Sequence, residues 1–330
     1  MGIYRLLLAV AVMLSHIGIA WYGHNPGVIA VVSFYLLSGY VMTALVQRHY
    51  TTLDSIPSFY LDRMMRLFPQ FLFYSLLTLA LIICFHPASD FISGLTPATA
   101  ALNLTMLPLN FFRYFPNALT IPQAWSLGLE SQFYLAIPFI LILRLRVPVL
   151  LLSLAFFLLP YLGVLDSDTW GYRMLPGTLF VFLLGSFLRT GEHKALTMFA
   201  YAACAILLGA GIAGNAIRFP LFEVLFGVVI GAPIVLALTK IRFGRLEEFA
   251  GNLSYGMFLN HFFILWSFQI AGFHQDSKLY IPGLLIASVI LAWGSYELVE
   301  KRVISLRHAL RKRSPASSEY VPASEHLKAE

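Results

Sequence analysis

Charge is what this chain has least of. Of its 330 residues, 12% are Asp, Glu, Lys or Arg, about half the ~25% of an ordinary soluble domain. That is too little polar surface to coat a water-soluble core of this length, which excludes a soluble single-core enzyme. With 59% apolar residues and a net charge of only +6, a disordered chain and a nucleic-acid-coating chain are excluded too. Cysteine is nearly absent: Cys84 and Cys204 both fall in apolar runs, so neither a disulfide framework nor a thiolate metal cluster is expected. The sequence also lacks a Gly-x-Ser-x-Gly elbow, a phosphate loop and a His-x-x-x-His metal motif. No metal site and no nucleic-acid partner are expected.

What is present is a series of long apolar runs. A membrane-spanning helix needs ~20 mostly apolar residues at 1.5 Å of rise each. Ten such runs stand at roughly 4–22, 27–47, 67–86, 122–143, 147–165, 172–188, 195–213, 219–239, 250–271 and 280–299. They predict an all-α polytopic membrane protein of about ten spans. Pro26, Pro69, Pro122, Pro148, Pro220 and Pro282 lie near span starts, where a missing N–H is tolerated. The first run has the outline of a signal peptide, but its apolar stretch continues past the small residues Gly18 and Ala20, so it is read as a span.

Basic residues set the orientation. Eighteen of the 22 Lys and Arg residues fall on the side that holds both ends of the chain; Arg113, Arg173, Arg218 and Lys278 fall on the other. The positive-inside rule places both termini in the cytoplasm. The one long loop, 87–121, lies outside, and its apolar stretch 100–109 is too short to span. A re-entrant or interfacial piece covering a site is expected there. Residues 1–300 read as one membrane domain, 301–313 as a basic segment on the anionic inner leaflet, and 314–330 as a disordered tail.

Ionisable side chains within such spans cost at least ~2.5–3.5 kcal/mol each on insertion scales, which makes them functional candidates. Arg5 and His16 are eleven residues apart, hence on one helix face and ~16 Å apart along the axis. Ser33, Ser38 and Gly39 mark the second span, where a close helix approach is the simpler reading. Arg63 and Arg66 share a face if helical and suit bidentate phosphate binding as well as interface anchoring. Ser126, Glu130 and Tyr134 follow Trp125 at spacing i, i+4 and i+8, one polar stripe. Glu130 comes early in a span entered from outside. It is therefore expected at the depth of His16, as a carboxylate orienting an imidazole base. Ser254, Phe258 and His261 share a face of the ninth span. On the tenth, Glu297 is expected in a buried network and Glu300, beside Lys301, in solvent. Arg173, entering the sixth span from outside, is read as an acceptor contact or an interface anchor.

These pieces together resemble the integral-membrane acyltransferase-3 family, which O-acylates bacterial surface glycans and some other acceptors. The resemblance runs from Arg5 to about Lys301. It rests on Arg5 with His16, on Phe34-Tyr-Leu-Leu-Ser-Gly-Tyr40, on Arg63-x-x-Arg66-Leu-Phe-Pro69, on Trp125-Ser-Leu-Gly-Leu-Glu130-Ser-Gln-Phe-Tyr134, on Ser254-Tyr-Gly-Met-Phe-Leu-Asn-His261, and on Tyr296-Glu-Leu-Val-Glu300-Lys301. Ser131 departs from the larger or acidic residue frequent in the family.

The resemblance implies an acyltransferase domain over 1–300 in a bacterial inner membrane, with acyl-coenzyme A, acetyl by default, as cytoplasmic donor substrate and no tightly bound cofactor. It implies a glycan or glycolipid acceptor, such as a polysaccharide or lipopolysaccharide hydroxyl, outside. Under it His16 is the catalytic histidine, with Glu130 as its partner or an acceptor contact. Arg5, Arg63 and Arg66 bind the donor. Trp125, Ser126, Tyr134 and Arg173 are placed at the substrate, and Ser38, His261 and Glu297 in support. Many relatives carry an extra periplasmic domain; without one, acceptor choice rests on the outer loops. A polytopic transporter or glycan-export subunit, using the same residues as a proton or solute pathway, is the alternative. For the orientation, a cysteine placed at Gly94 in a background lacking Cys84 and Cys204 should react with a membrane-impermeant thiol reagent added outside intact cells, whereas one placed at Ser317 should not.

Overall fold

The computed structural model describes residues 1–114, 117–215, 217–241 and 244–303. Among these, eleven α-helices follow one another: α1 (Gly2–His16), α2 (Pro26–His49), α3 (Ile56–Phe85), the short α4 (Pro97–Asn103), α5 (Trp125–Ile142), α6 (Arg146–Tyr161), α7 (Leu175–Thr190), α8 (Lys194–Ala213), α9 (Leu221–Thr239), α10 (Arg245–Ile270) and α11 (Tyr280–Ser295). Each expected span falls on one of the ten longer helices. Seven helical segments are long and apolar enough to cross a membrane, while Gly2–His16 and Arg146–Tyr161 are apolar but shorter. The protein is an all-α polytopic membrane protein. Residues 304–330, with most of the expected basic segment and all of the tail, lie outside the described residues, as does Arg242.

The interior is organised around α2, which packs on α1, α5, α7 and α9. Its start is fixed locally: Asn25 Oδ1 accepts hydrogen bonds from the Gly27 and Val28 amides at 2.8 and 3.3 Å, and Pro26 takes the first helical position. Lipid tails are as apolar as leucine, so helices in a bilayer associate through close packing and polar contacts. The α2–α7 crossing uses both. A Cβ on Gly39 would lie 1.7 Å from the Phe182 carbonyl oxygen, and one on Gly185 would lie 2.0 Å from that of Leu36. Beside them the Thr43 hydroxyl donates to Ser186 Oγ at 2.7 Å.

Two boundaries differ from the sequence reading. The first helix stops at His16 because a tight hairpin follows, with Trp21 and His24 exchanging backbone hydrogen bonds of 2.8 and 2.9 Å. The third helix begins at Ile56, so Arg63 and Arg66 stand within it and Pro69 is interior rather than at its start. A proline there removes one helical hydrogen bond; nearby, the Tyr255 hydroxyl donates to the Leu67 carbonyl at 3.0 Å.

The outer loop folds back onto the bundle. The Asn103 amide donates to the Thr99 and Ala118 carbonyls at 2.8 and 2.6 Å. Asn110, fully buried in the 3₁₀ segment Leu107–Arg113, accepts from Gln132 at 2.7 Å and donates to the Arg173 carbonyl at 3.3 Å. This segment lies against Gly128, whose missing Cβ would meet the Asn110 amide at 2.9 Å.

Gly39→Leu and Gly185→Leu should each abolish accumulation of folded protein, because a backbone carbonyl cannot yield as a side chain does. Gly209→Leu, where a Cβ meets nothing within 4 Å, should change the detergent-solubilised melting temperature little.

Candidate active site

Two helices bring the arginines together. Arg5 on α1 and Arg63 and Arg66 on α3 line one cavity of about 340 Å³ with Ser38, Ser126, Glu130, Tyr134, Ser254, Tyr255 and Phe258. A wider, open cavity of about 670 Å³ at the chain's N-terminal end is lined by Met1, Arg5, Arg66, Arg245 and Asn252, among others. Arg5 and Arg66 wall both, so the two spaces meet at these guanidinium groups.

Each arginine meets a different surrounding. Arg63 donates to its neighbour Asp62, a buried carboxylate. Arg66 pairs with Glu300 from the far end of the chain and lies over the Tyr255 ring. Arg5 lies within the electrostatic reach of Arg66, Arg63, Glu130 and Tyr134, and the described residues offer its guanidinium no hydrogen-bond partner. Glu130 itself accepts from Ser38 Oγ at 2.6 Å and from the Tyr134 hydroxyl at 2.5 Å. The Ser126–Glu130–Tyr134 stripe thus faces the cavity as its spacing predicts. Ser126 turns its hydroxyl to the Gln123 carbonyl at 3.2 Å.

His16 is elsewhere. Exposed at the far end of α1, it has Nδ1 2.8 Å from the Val12 carbonyl oxygen and 3.2 Å from Nε2 of the fully buried His261. The two imidazoles stack with centroids 5.1 Å apart, and Phe262 closes on His16 edge-on at 4.9 Å.

The expected pairing of His16 with Glu130 is therefore corrected. Gly27 on α2 lies against Ser15, and Ser38 lies eleven residues further along the antiparallel helix, ~16 Å below by helical rise. Glu130, bonded to Ser38, stands at the level of Arg5. The reason is that α5 starts below the outer surface: the buried Gln123 just before it donates to the Phe258 and Leu259 carbonyls of α10, both at 2.9 Å.

Glu297 is corrected as well. It is exposed and paired with Lys301 at 2.8 Å, while Glu300 is the buried acid, 4% exposed. Residues Tyr296–Glu300 form a π-helical turn, which advances less per residue than an α-helix and so turns Glu300 toward α3. Asp62 and Gln123 are partners that sequence reasoning missed. An acid directly beside an arginine in an apolar stretch was the available signal for Asp62; Gln123 had none.

Arg173 and Trp125 form a separate outer cluster. The Arg173 guanidinium pairs with Asp168 at 2.9 Å and lies 4.3 Å from the Trp125 ring centroid, with Phe112 and Tyr172 near 5 Å. Its charge reaches His16. Beyond the bundle surface, Asp166 is held below the ordinary carboxylate range by hydrogen bonds from Thr169. Trp125 belongs to this cluster and not to the arginine cavity.

Comparison with known proteins now fits this arrangement. The acyltransferase domain of the acyltransferase-3 family matches residues 3–297. The chain belongs to that family, and its class is that of the membrane O-acyltransferases. It is similar to an uncharacterized protein of Aquifex aeolicus (strain VF5), 32% identical over 206 residues, covering 58% of this chain and 91% of the relative. It is similar also to the O-acetyltransferase OatA of Staphylococcus aureus (strain NCTC 8325 / PS 47), 28% identical over 145 residues, 42% of this chain. The matched region spans 23% of that longer protein. No solved structure matches the chain.

Replacing Glu130 by Ala removes the acceptor shared by Ser38 and Tyr134. A loss of about 1–3 kcal/mol is expected from the stranded hydroxyls, read as a lower melting temperature of the purified protein. Glu297→Ala should leave it within error.

Proposed function

We propose that this protein carries an acyl group, acetyl by default, from cytoplasmic acyl-coenzyme A to a hydroxyl of an extracytoplasmic glycan or glycolipid. In this reading it lies in a bacterial inner membrane as a single acyltransferase domain over residues 1–300, with ten spans and both termini inside. The observation that carries the reading is the double role of Arg5. It walls both the open N-terminal cavity and the inner cavity, and the helix bearing it ends three turns later at the exposed His16.

The donor's phosphates meet Arg5, Arg66 and Arg245 at the mouth. Its pantetheine arm fills the inner cavity, where Glu130, Tyr134 and Ser38 offer oxygen acceptors to the arm's amide N–H groups, and Arg63 completes the positive wall. From Arg5 to His16 the helix rises ~16 Å, about the reach of such an arm. The Val12 carbonyl can only accept, so His16 Nδ1 carries its hydrogen and Nε2 keeps a lone pair for the acceptor. The acceptor hydroxyl gives its proton to Nε2 as its oxygen bonds to the thioester carbonyl carbon. The carbon–sulfur bond then breaks, and the departing thiolate takes the proton. Arg173, whose charge acts at His16, and Trp125, packed against Arg173, are the acceptor contacts. The name of the Staphylococcus aureus relative supports acetyl as the group. The transporter alternative yields to family membership.

General-base assistance is worth ~10²–10⁴-fold. His16→Ala should lower acetyl transfer by that order while leaving coenzyme A binding intact, and Arg66→Ala should instead weaken coenzyme A binding about tenfold or more. Calorimetry with coenzyme A and mass analysis of surface glycan from expressing cells read the two effects. Near-normal acetylation by His16→Ala would remove the base assignment.

A further inference from the structure

We infer that His261 is a positioning residue for the reaction: its neutral ring accepts the Nδ1–H of His16 and so holds, and then stabilises, the imidazolium that forms on proton abstraction. This rests on the reading of His16 as the base and adds a second imidazole to it, in the place where the sequence pattern put a carboxylate.

The argument is one of hydrogen counting. The Val12 carbonyl lies 2.8 Å from His16 Nδ1, and an oxygen acceptor there requires the hydrogen on Nδ1. His261 Nε2 lies 3.2 Å from the same nitrogen. Two N–H groups cannot face each other at that distance, so His261 Nε2 presents its lone pair and its own hydrogen sits on Nδ1. That nitrogen faces the backbone of its own helix near Met257 and Phe258 and makes no hydrogen bond of ordinary geometry among the described residues. Both rings are thereby fixed in one tautomer, and His16 Nε2 is the only free lone pair of the pair.

Proton transfer to His16 makes Nδ1–H a charge-assisted donor, shared between the Val12 carbonyl and His261 Nε2. An interaction that strengthens as charge develops lowers the barrier rather than merely binding the ground state. Among the charged groups of the described residues, Arg173 is the one that acts on His16; it is paired to Asp168 at 2.9 Å. Its positive charge opposes a second positive charge on His16, so the neutral acceptor in His261 is what favours protonation. Phe258 and Phe262 pack on the two imidazoles, and the fully buried His261 has no solvent from which to borrow a substitute acceptor.

The experiment uses His261→Phe, which keeps a stacked ring and removes the lone pair, and His261→Gln, which restores an oxygen acceptor. Detergent-opened membranes from cells expressing the full chain are supplied with acetyl-labelled acetyl-coenzyme A, and label entering the envelope glycan fraction is followed across pH. His261→Phe should lower kcat roughly 10- to 100-fold, the fold-change of losing one charge-assisted hydrogen bond, with the KM for acetyl-coenzyme A unchanged. Removing the acceptor destabilises the imidazolium, so His16 protonates at lower pH and the acid limb of the rate profile moves down. His261→Gln should recover part of the rate and return the limb toward the parent position. A His261→Phe enzyme with parental kcat and an unmoved acid limb would overturn the inference, reducing His261 to ring packing. His16→Ala run alongside separates the two levels: if that variant transfers label normally, the base assignment itself has failed.

Discussion

Three guanidinium groups cannot share one lipid-embedded bundle without acids to meet them, and much of the interior is arranged around that need. Asp62 takes Arg63, and Glu300 takes Arg66 from the opposite end of the chain. Glu130 stands within the field of Arg5. Buried ion pairs are poor sources of stability, since desolvation offsets most of the attraction. Under the proposed function they hold positive charge ready for an anionic donor at the price of fold stability. Among the described residues, the Arg5 guanidinium is the one of the three left without a hydrogen-bond partner, and Arg5 walls both cavities.

That arrangement separates two chemistries along α1. At one end lie arginines and a carboxylate suited to a phosphate-bearing, amide-containing substrate. At the other lies an exposed histidine backed by a second, buried one. Under the proposed function, with donor and acceptor on opposite sides of the membrane, this separation matters because an open aqueous passage would expose the thioester to hydrolysis. Phe34 and Phe258, T-shaped with centroids 6.0 Å apart, line the cavity, and the Phe258 ring also meets that of His261. Next to Gly39 at the α2–α7 crossing, Ser38 reaches across to Glu130 on α5 at 2.6 Å.

Much of this was legible in the residues. The runs of apolar sequence located the ten longer helices, and the i, i+4, i+8 spacing of Ser126, Glu130 and Tyr134 put all three on one cavity wall. Arg5, Arg63 and Arg66 stood out because lipid tolerates few charges. The two departures have different causes. Glu130 was placed at the depth of His16 by assuming that α5 starts at the membrane surface, but the folded-in outer loop starts it lower. Glu297 and Glu300 exchanged roles because a π-helical turn breaks the 3.6-residue count.

The sequence by itself determined the class of the protein, its helical architecture and the short set of polar side chains that lipid would not otherwise hold. Those follow from composition and local periodicity, which are properties of a single segment. Which polar groups meet was decided only by the tertiary structure. His16 found His261 and not Glu130, Arg66 found Glu300 across 234 residues of chain, and Gln123 found the carbonyls of α10. Such pairings depend on the relative depth and rotation of separate helices, and no single helix encodes the level at which its neighbour begins.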